Sequence, residues 1–170
     1  TLAESAGLEV GELGGIRVDD HMRTSDADIF AVGDAIEVKD FVTGQWSLVA
    51  LAGPANRQGR IAADVIAGRD ARYRGTQGTS IIGLFGAAAA WTGASEKPLQ
   101  RLGATDYDKV YLVPNSHAGY YPGAKPLGLK LVFRKSDGRL LGAQALGEDG
   151  PAVDKRISAL AMAIQMGATI

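Results

Sequence analysis

The order of apolar and polar residues predicts short strands and one long helix in the first part of the chain. Residues Ile16 to Val18 are predicted to form a short strand, and the apolar run in DIFAV, residues 28–32, a buried strand. The mixed composition of residues 37–46 predicts a loop. Residues 51–68, LAGPANRQGRIAADVIAG, predict a helix, because a proline lies near the first turn and a glycine follows the end.

The second part of the chain predicts an antiparallel sheet packed against helices. Four segments are predicted as strands, namely Ile81 to Phe85, Lys109 to Val113, Leu127 to Phe133 and Leu140 to Leu146. Ser136-Asp137-Gly138 predicts a hairpin between the last two strands. A short helix is predicted from Ser95, as its cap, to Gly103. A final helix from Pro151 to just before Gly167 has one apolar face, formed by Val153, Ile157, Leu160 and Ile164. These patterns predict an α+β layer with the helices on one side of the sheet.

A polar, glycine-bearing stretch near Gly75 to Gly78 predicts a linker between two domains of residues 1–75 and 76–170. The chain opens directly into a short helical pattern, TLAESAGLEVG, and closes on an apolar segment after its last helix. We therefore expect the chain to be an internal piece of a larger protein, with the second domain truncated at its C-terminus.

Composition narrows the possible functions. The chain has 170 residues, 46% of them hydrophobic, which suits one medium domain or two small ones. The formal net charge of −1 argues against a nucleic-acid or membrane-surface partner. No apolar run is long enough to predict a spanning helix, so a cytoplasmic location is expected. The absence of cysteine excludes disulfides and a cysteine nucleophile from this chain.

The candidate chemistry begins where the predicted strand at residues 28–32 runs into Gly33 and Asp34. In α/β folds, small molecules bind beyond the carboxyl ends of strands. A carboxylate there can accept hydrogen bonds from a polyol, and the following helix opens at Ala52-Gly53-Pro54 with amide groups that favour negative charge. The two features together suit a flavin, with the carboxylate on the ribityl chain and the helix facing the pyrimidine carbonyl. The alternative is that Asp34 caps an ordinary turn.

Three segments resemble one family of flavoenzymes. TSDADIFAVGDA, residues 24–35, resembles the second flavin motif of the pyridine nucleotide–disulfide oxidoreductases. Residues 51–68 are similar to the helix that follows this motif in the coenzyme A disulfide reductase, NADH-dependent persulfide reductase and NADH oxidase branch. HAGYYPGA, residues 117–124, resembles a loop of that branch's dimerisation domain, and VDKRISALAMAI, residues 153–164, its closing helix. The resemblance covers nearly the whole chain.

The resemblance implies the end of an FAD-binding α/β domain followed by an α+β dimerisation domain. It implies a homodimeric enzyme that passes electrons from NADH or NADPH through FAD to a small thiol or disulfide substrate linked to coenzyme A. Residues implied to bind the cofactor are Thr24, Ile29, Gly33, Asp34, Ala35, Leu51 and Ala52. Asn56 is implied to approach coenzyme A. Tyr120 and Tyr121 are implied to reach the partner's active site as catalytic residues. Because adjacent residues point in different directions and Pro122 follows Tyr121, we expect Tyr120 to be the catalytic residue and Tyr121 to pack in the interface. Interface packing alone is the alternative for both tyrosines.

Two function classes stay open, because motifs and residues that the family uses are missing from the sequence. The chain has no GxGxxG fingerprint and no redox cysteine. The first class is a disulfide or persulfide reductase, or an NADH oxidase, of which this chain is one part. The second is a non-catalytic dimerisation module, which the chain is expected to be when isolated.

His117 has no partner at metal-ligand spacing, and no metal site is predicted. The basic residues Arg57, Arg60, Lys155 and Arg156 lie near helix starts, where phosphate contacts and solvated or ion-paired positions are the alternatives.

Overall fold

The computed structural model describes residues 1–148 and 150–170, which divide into two compact units, Thr1–Thr76 and Gln77–Ile170. The helices are α1 (Leu2–Ser5), α2 (Ala52–Ile66), α3 (Glu96–Arg101) and α4 (Gly150–Gln165). The strands are β1 (Ile16–Arg17), β2 (Ile36–Lys39), β3 (Trp46–Leu48), β4 (Ser80–Leu84), β5 (Ala87–Gly93), β6 (Asp108–Leu112), β7 (Leu127–Phe133) and β8 (Leu140–Gly147). None of the described helices is both long and apolar enough to cross a bilayer.

The first unit combines a three-stranded sheet with the long helix α2. Strand β2 lies in the centre, parallel to β1 and antiparallel to β3. One side of α2 packs on the sheet, and the shared core is formed by Met22, Ile36, Val38, Ile61, Ala62, Val65 and Tyr73. The sequence predicted β1 and α2 correctly. The predicted loop at residues 37–46 is wrong at both ends, because residues 37–39 belong to β2 and Trp46 begins β3.

A buried carboxylate explains why β2 escaped prediction. Glu37 lies in the middle of β2 and is completely buried. One of its oxygens accepts hydrogen bonds from the amide groups of Leu13 (2.7 Å) and Gly15 (3.2 Å), and the other lies 3.2 Å from the Arg17 guanidinium. Gly15 has to be glycine here, since a Cβ would lie 2.8 Å from the backbone nitrogen of Glu37. A charged residue therefore holds a turn against the sheet from a position where the pattern predicts exposure.

The predicted buried strand at residues 28–32 is also wrong. This segment forms a single bridge between Arg23 and Phe30, and the side chains of Ile29 and Val32 are both 38% exposed. The described chain offers it one short partner, residues 22–24, which is too little pairing for a strand. A short apolar run does not distinguish a paired strand from an extended connection.

The second unit is a five-stranded antiparallel sheet in the order β4-β5-β8-β7-β6. Helix α4 packs on β5 and β8, and the core between them contains Ala88, Ala90, Ala143, Ala145, Val153 and Ile157. The predicted apolar face of the last helix is confirmed: Val153, Ile157 and Ile164 are buried, and Leu160 packs at the edge of this core. The four predicted strands of this unit are confirmed to within one residue at their ends, and the α+β class is confirmed.

Two details of the second unit differ from expectation. Strand β5 was not predicted, because its alanines have low strand propensity and the burial of Ala88 and Ala90 depends on partners distant in sequence. Ser95 lies at the start of α3, but its side chain makes no capping hydrogen bond. Ion pairs hold the helix instead, since Glu96 binds Lys109 (2.5 Å) and Lys130. These two hydrogen bonds lower the pKa of the Glu96 carboxyl.

Candidate functional site

The turn at Gly33-Asp34-Ala35 presents an unpaired carboxylate beside α2. Gly33 has a φ of +76°, which favours glycine, and its amide donates a 2.8 Å hydrogen bond to Oε1 of Gln58 on α2. Gln58 is 2% exposed, so this bond is shielded from water and fixes the turn. The Asp34 side chain is exposed, and its carboxylate has no hydrogen bond or ion pair to any residue the structure describes. Asp34 is thus free to bind a ligand.

The beginning of α2 also has hydrogen-bonding groups without protein partners. Leu51 is the N-cap and has no side chain that can cap, so the amide groups of the first turn have no side-chain acceptor among the described residues. Ala52 and Gly53 are exposed, and nothing lies within 4 Å of the position where a Gly53 Cβ would be. An acceptor group can therefore approach this end of the helix closely. Asn56, in the next half turn, is exposed as well.

Thr24 and Ile29 lie at the two ends of the loop that precedes this turn. The Thr24 hydroxyl lies 3.0 Å from the carbonyl oxygens of Asp26 and Ile29, and the Thr24 amide donates to the Ile29 carbonyl at 2.9 Å. These bonds close the loop on itself. The Thr24 hydroxyl therefore bonds to the backbone of its own loop. A contact of Thr24 or Ile29 to a cofactor stays a prediction.

The loop His117–Ala124, here named the tyrosine loop, projects both predicted tyrosines into solvent. Tyr120 is 93% exposed, and Tyr121 is 66% exposed. The Tyr121 ring meets the His117 ring edge to face at 5.5 Å, and its amide donates to the Ala118 carbonyl at 3.0 Å. Tyr120 has no hydrogen bond or ring contact within the described chain. One ring is therefore packed within its own loop, and the other has its hydroxyl free.

The predicted site residues fall into separate groups. Gly33, Asp34 and Ala35 lie beside the N-terminal half of α2, while Tyr120 and Tyr121 belong to the other unit. No sequence pattern indicates that Gln58 supports the turn, because its partner is 25 residues away and is a backbone amide. No group of three or more potential metal ligands occurs in the described part of the chain.

Comparison with known families matches both units. The family described as "Pyridine nucleotide-disulphide oxidoreductase" matches residues 1–59. The family described as "Pyridine nucleotide-disulphide oxidoreductase, dimerisation domain" matches residues 80–170. The predicted flavin turn lies in the first match and the tyrosine loop in the second.

Individual relatives agree with these matches. The chain is 33% identical to a coenzyme A disulfide reductase of Staphylococcus aureus, over 98% of the chain and 37% of that protein. It is 34% identical to an NADH oxidase of Methanocaldococcus jannaschii, over 96% of the chain and 35% of that protein. The chain thus spans about a third of the length of the curated relatives it matches.

Solved structures agree as well. The structure entitled reduced Bacillus anthracis CoADR-RHD is 50% identical, with a TM-score of 0.95 over 99% of this chain and 30% of that one. An NAD-dependent persulfide reductase from A. fulgidus is 41% identical, with a TM-score of 0.94 over the same shares. The fold, the two matched segments and these relatives place the chain in the pyridine nucleotide–disulfide oxidoreductase family, with its dimerisation domain in residues 80–170.

Proposed function

We propose that the protein carrying this chain is an FAD-dependent NAD(P)H oxidoreductase that reduces a disulfide or persulfide linked to coenzyme A. The observation that carries this proposal is the exposed, unpaired Asp34 carboxylate on a turn fixed to α2 by Gln58. Similarity to a coenzyme A disulfide reductase and a persulfide reductase supports the substrate class. The proposal includes a cytoplasmic location and residues 1–75 as the end of the nicotinamide- and FAD-binding region.

The residues of the first unit fit a flavin. The Asp34 carboxylate can accept hydrogen bonds from ribityl hydroxyl groups, because no group in the described chain competes for it. The open first turn of α2, at Ala52 and Gly53, offers amide donors and the positive end of the helix dipole to an electron-rich carbonyl. The Leu51 amide donates to the Val49 carbonyl at 3.0 Å, so Leu51 is proposed to contact the flavin by other atoms. FAD, when bound, relays electrons from the nicotinamide to the sulfur substrate. Asn56 is exposed near the same helix end and is proposed to contact coenzyme A.

The second unit supports a homodimer. Strand alternation puts Ile82, Leu84, Trp91, Tyr111 and Leu146 on the sheet face opposite α4, and each of these side chains is at least 40% exposed. An exposed apolar face of this kind marks an interaction surface. We propose that a second copy covers it. The tyrosine loop is proposed to supply Tyr120 to the partner's sulfur site, where its free hydroxyl can donate a proton.

NADH oxidation is the second candidate, favoured by the similarity to an NADH oxidase over 96% of the chain. The two activities differ in the electron acceptor, which is a sulfur compound in one and oxygen in the other. Isolated residues 1–170 contain no cysteine, and we expect them to act as a non-catalytic dimerisation module. A colourless, stable dimer would identify that state.

Replacing Asp34 with alanine in the complete protein is expected to weaken FAD binding by roughly 10- to 100-fold. The reason is the loss of a charged acceptor, whose hydrogen bonds contribute about 1.5–3 kcal/mol. Flavin retained after dialysis, measured from the visible absorption of the protein, checks this expectation. Glu12→Ala is the matched control, since Glu12 is exposed in the same unit and has no partner in the described chain. Equal flavin retention in Asp34→Ala and Glu12→Ala would remove Asp34 from the cofactor site.

A further inference from the structure

We propose that Arg156 is a positioning residue for the tyrosine loop, an inference that rests on the proposed function of Tyr120. Arg156 lies on α4 between two buried residues, Val153 and Ile157. Val153 and Ile157 are 0% and 2% exposed and bury this part of the helix against β5 and β8. The packing of these residues therefore fixes the position of the helix backbone from which the Arg156 side chain extends.

The Arg156 guanidinium binds the backbone at the entrance of the tyrosine loop. Nη2 donates to the Asn115 carbonyl at 2.8 Å, and Nη1 donates to the Ser116 carbonyl at 3.2 Å. Nη1 also lies 3.3 Å from the Ala152 carbonyl of its own helix. A planar guanidinium that spans two successive carbonyl groups fixes the orientation of both peptide planes, which a single-point contact does not.

These bonds add a helix anchor to a loop base that is otherwise held by bonds between its own residues and by the exposed ion pair of Lys125 with Glu148 (2.9 Å). The Ser116 amide donates to the Lys125 carbonyl at 2.7 Å, and Asn115 forms a bridge with Pro126. The Leu127 amide also donates to the Pro114 carbonyl at 2.9 Å, so these bonds fix the width of the loop, while its direction relative to α4 depends on contacts outside the base. The bonds from Arg156 join the base to the buried helix α4, whereas the Lys125–Glu148 pair is exposed, so Arg156 contributes most to the direction in which Tyr120 projects.

The bonding pattern of Arg156 favours this role over that of a surface charge. All three of its hydrogen bonds go to backbone carbonyl groups, and it has no carboxylate partner among the described residues. Its side chain is half-buried, whereas the neighbouring Lys155 is exposed and has no hydrogen bond in the described chain. The alternatives from sequence, a phosphate contact or an ion-paired surface position, do not use these carbonyl groups.

The test compares Arg156→Ala, Arg156→Lys and the control Lys155→Ala in the complete protein. Hydrogen exchange is followed in the peptide covering residues 113–126, which contains the bonded amides of Ser116 and Tyr121. Steady-state kcat and KM are measured with coenzyme A disulfide.

Loss of charge-assisted bonds in Arg156→Ala should accelerate exchange of this peptide about 10-fold or more, and should lower kcat by a similar factor with a smaller change in KM. Arg156→Lys should recover part of the protection, because an ammonium group reaches one carbonyl but does not span two. Lys155→Ala should match the wild type in all three measurements.

The outcomes separate this inference from the function on which it rests. Unchanged exchange in Arg156→Ala overturns the inference and leaves the proposed function standing. A raised KM with unchanged kcat, fully restored in Arg156→Lys, also overturns it, since that result identifies a contact to substrate phosphate. Faster exchange with normal kcat supports the anchor and contradicts the proposed role of the tyrosine loop in turnover.

Discussion

Replacing Glu37 with alanine is expected to destabilise the first unit by about 3–5 kcal/mol, the largest loss we predict for a single substitution in it. Glu37 is completely buried, and its carboxylate holds two backbone amides and lies 3.2 Å from the Arg17 guanidinium. The alanine variant leaves this cation and both amides without their partner. The cost of an uncompensated buried charge dominates the loss.

A double-mutant cycle of Glu37→Ala, Arg17→Met and the double variant tests whether the unpaired Arg17 cation causes this loss of stability. Unfolding in urea can be followed by tryptophan fluorescence in a Trp91→Phe background, which leaves Trp46 as the reporter in this chain. The Trp46 ring centroid lies 3.8 Å from the guanidinium carbon of Arg17. The double variant Arg17→Met with Glu37→Ala should be more stable than Glu37→Ala alone, because the unpaired cation is removed as well. An unfolding midpoint for Glu37→Ala equal to that of the wild type would show that the carboxylate does not hold the residue 11–15 turn.

Replacing Tyr120 with phenylalanine in the complete enzyme is expected to lower turnover by about 10²-fold, with the dimer and the flavin content unchanged. The size of the effect is that of a lost general acid. Tyr120 is 93% exposed with its hydroxyl unbonded, so the substitution removes no contact within this chain. Steady-state kcat with coenzyme A disulfide, together with size-exclusion chromatography, checks both halves of the expectation.

Tyr121→Phe is the matched control. Tyr121 packs on His117 through its ring, which phenylalanine keeps, so turnover should change little. Normal turnover in Tyr120→Phe, with a loss of turnover only in Tyr120→Ala, would indicate that the ring packs in the interface and that its hydroxyl transfers no proton.

The parts of the fold that followed from sequence are those with a strong local pattern. Strand β7, the hairpin to β8 and the buried face of α4 each have an apolar period or a turn that defines the element by itself. Strand β5 has no such signal, since alanine favours a strand only where neighbouring strands bury it. Glu37 gave the opposite signal in β2, because its partners, Arg17 and the residue 11–15 turn, are far away in sequence.

The candidate site was predicted to a similar extent. The Gly33-Asp34 turn and the tyrosine loop belong to recognisable motifs, and the structure gives both exposed polar groups. Gln58 and Arg156 were not identified as supports, because both bind backbone atoms, and a backbone acceptor or donor leaves no mark on the sequence. The roles of the site residues toward FAD, coenzyme A and the partner subunit stay predictions.

An anaerobic titration of the purified complete protein tests the central proposal most directly. We expect NADH or NADPH to bleach the visible flavin absorption, and coenzyme A disulfide or a persulfide to restore it without oxygen. Restoration by oxygen alone would favour NADH oxidation as the main activity. A protein that binds no flavin after incubation with FAD, or whose flavin absorption does not respond to either nicotinamide, would contradict the proposed function.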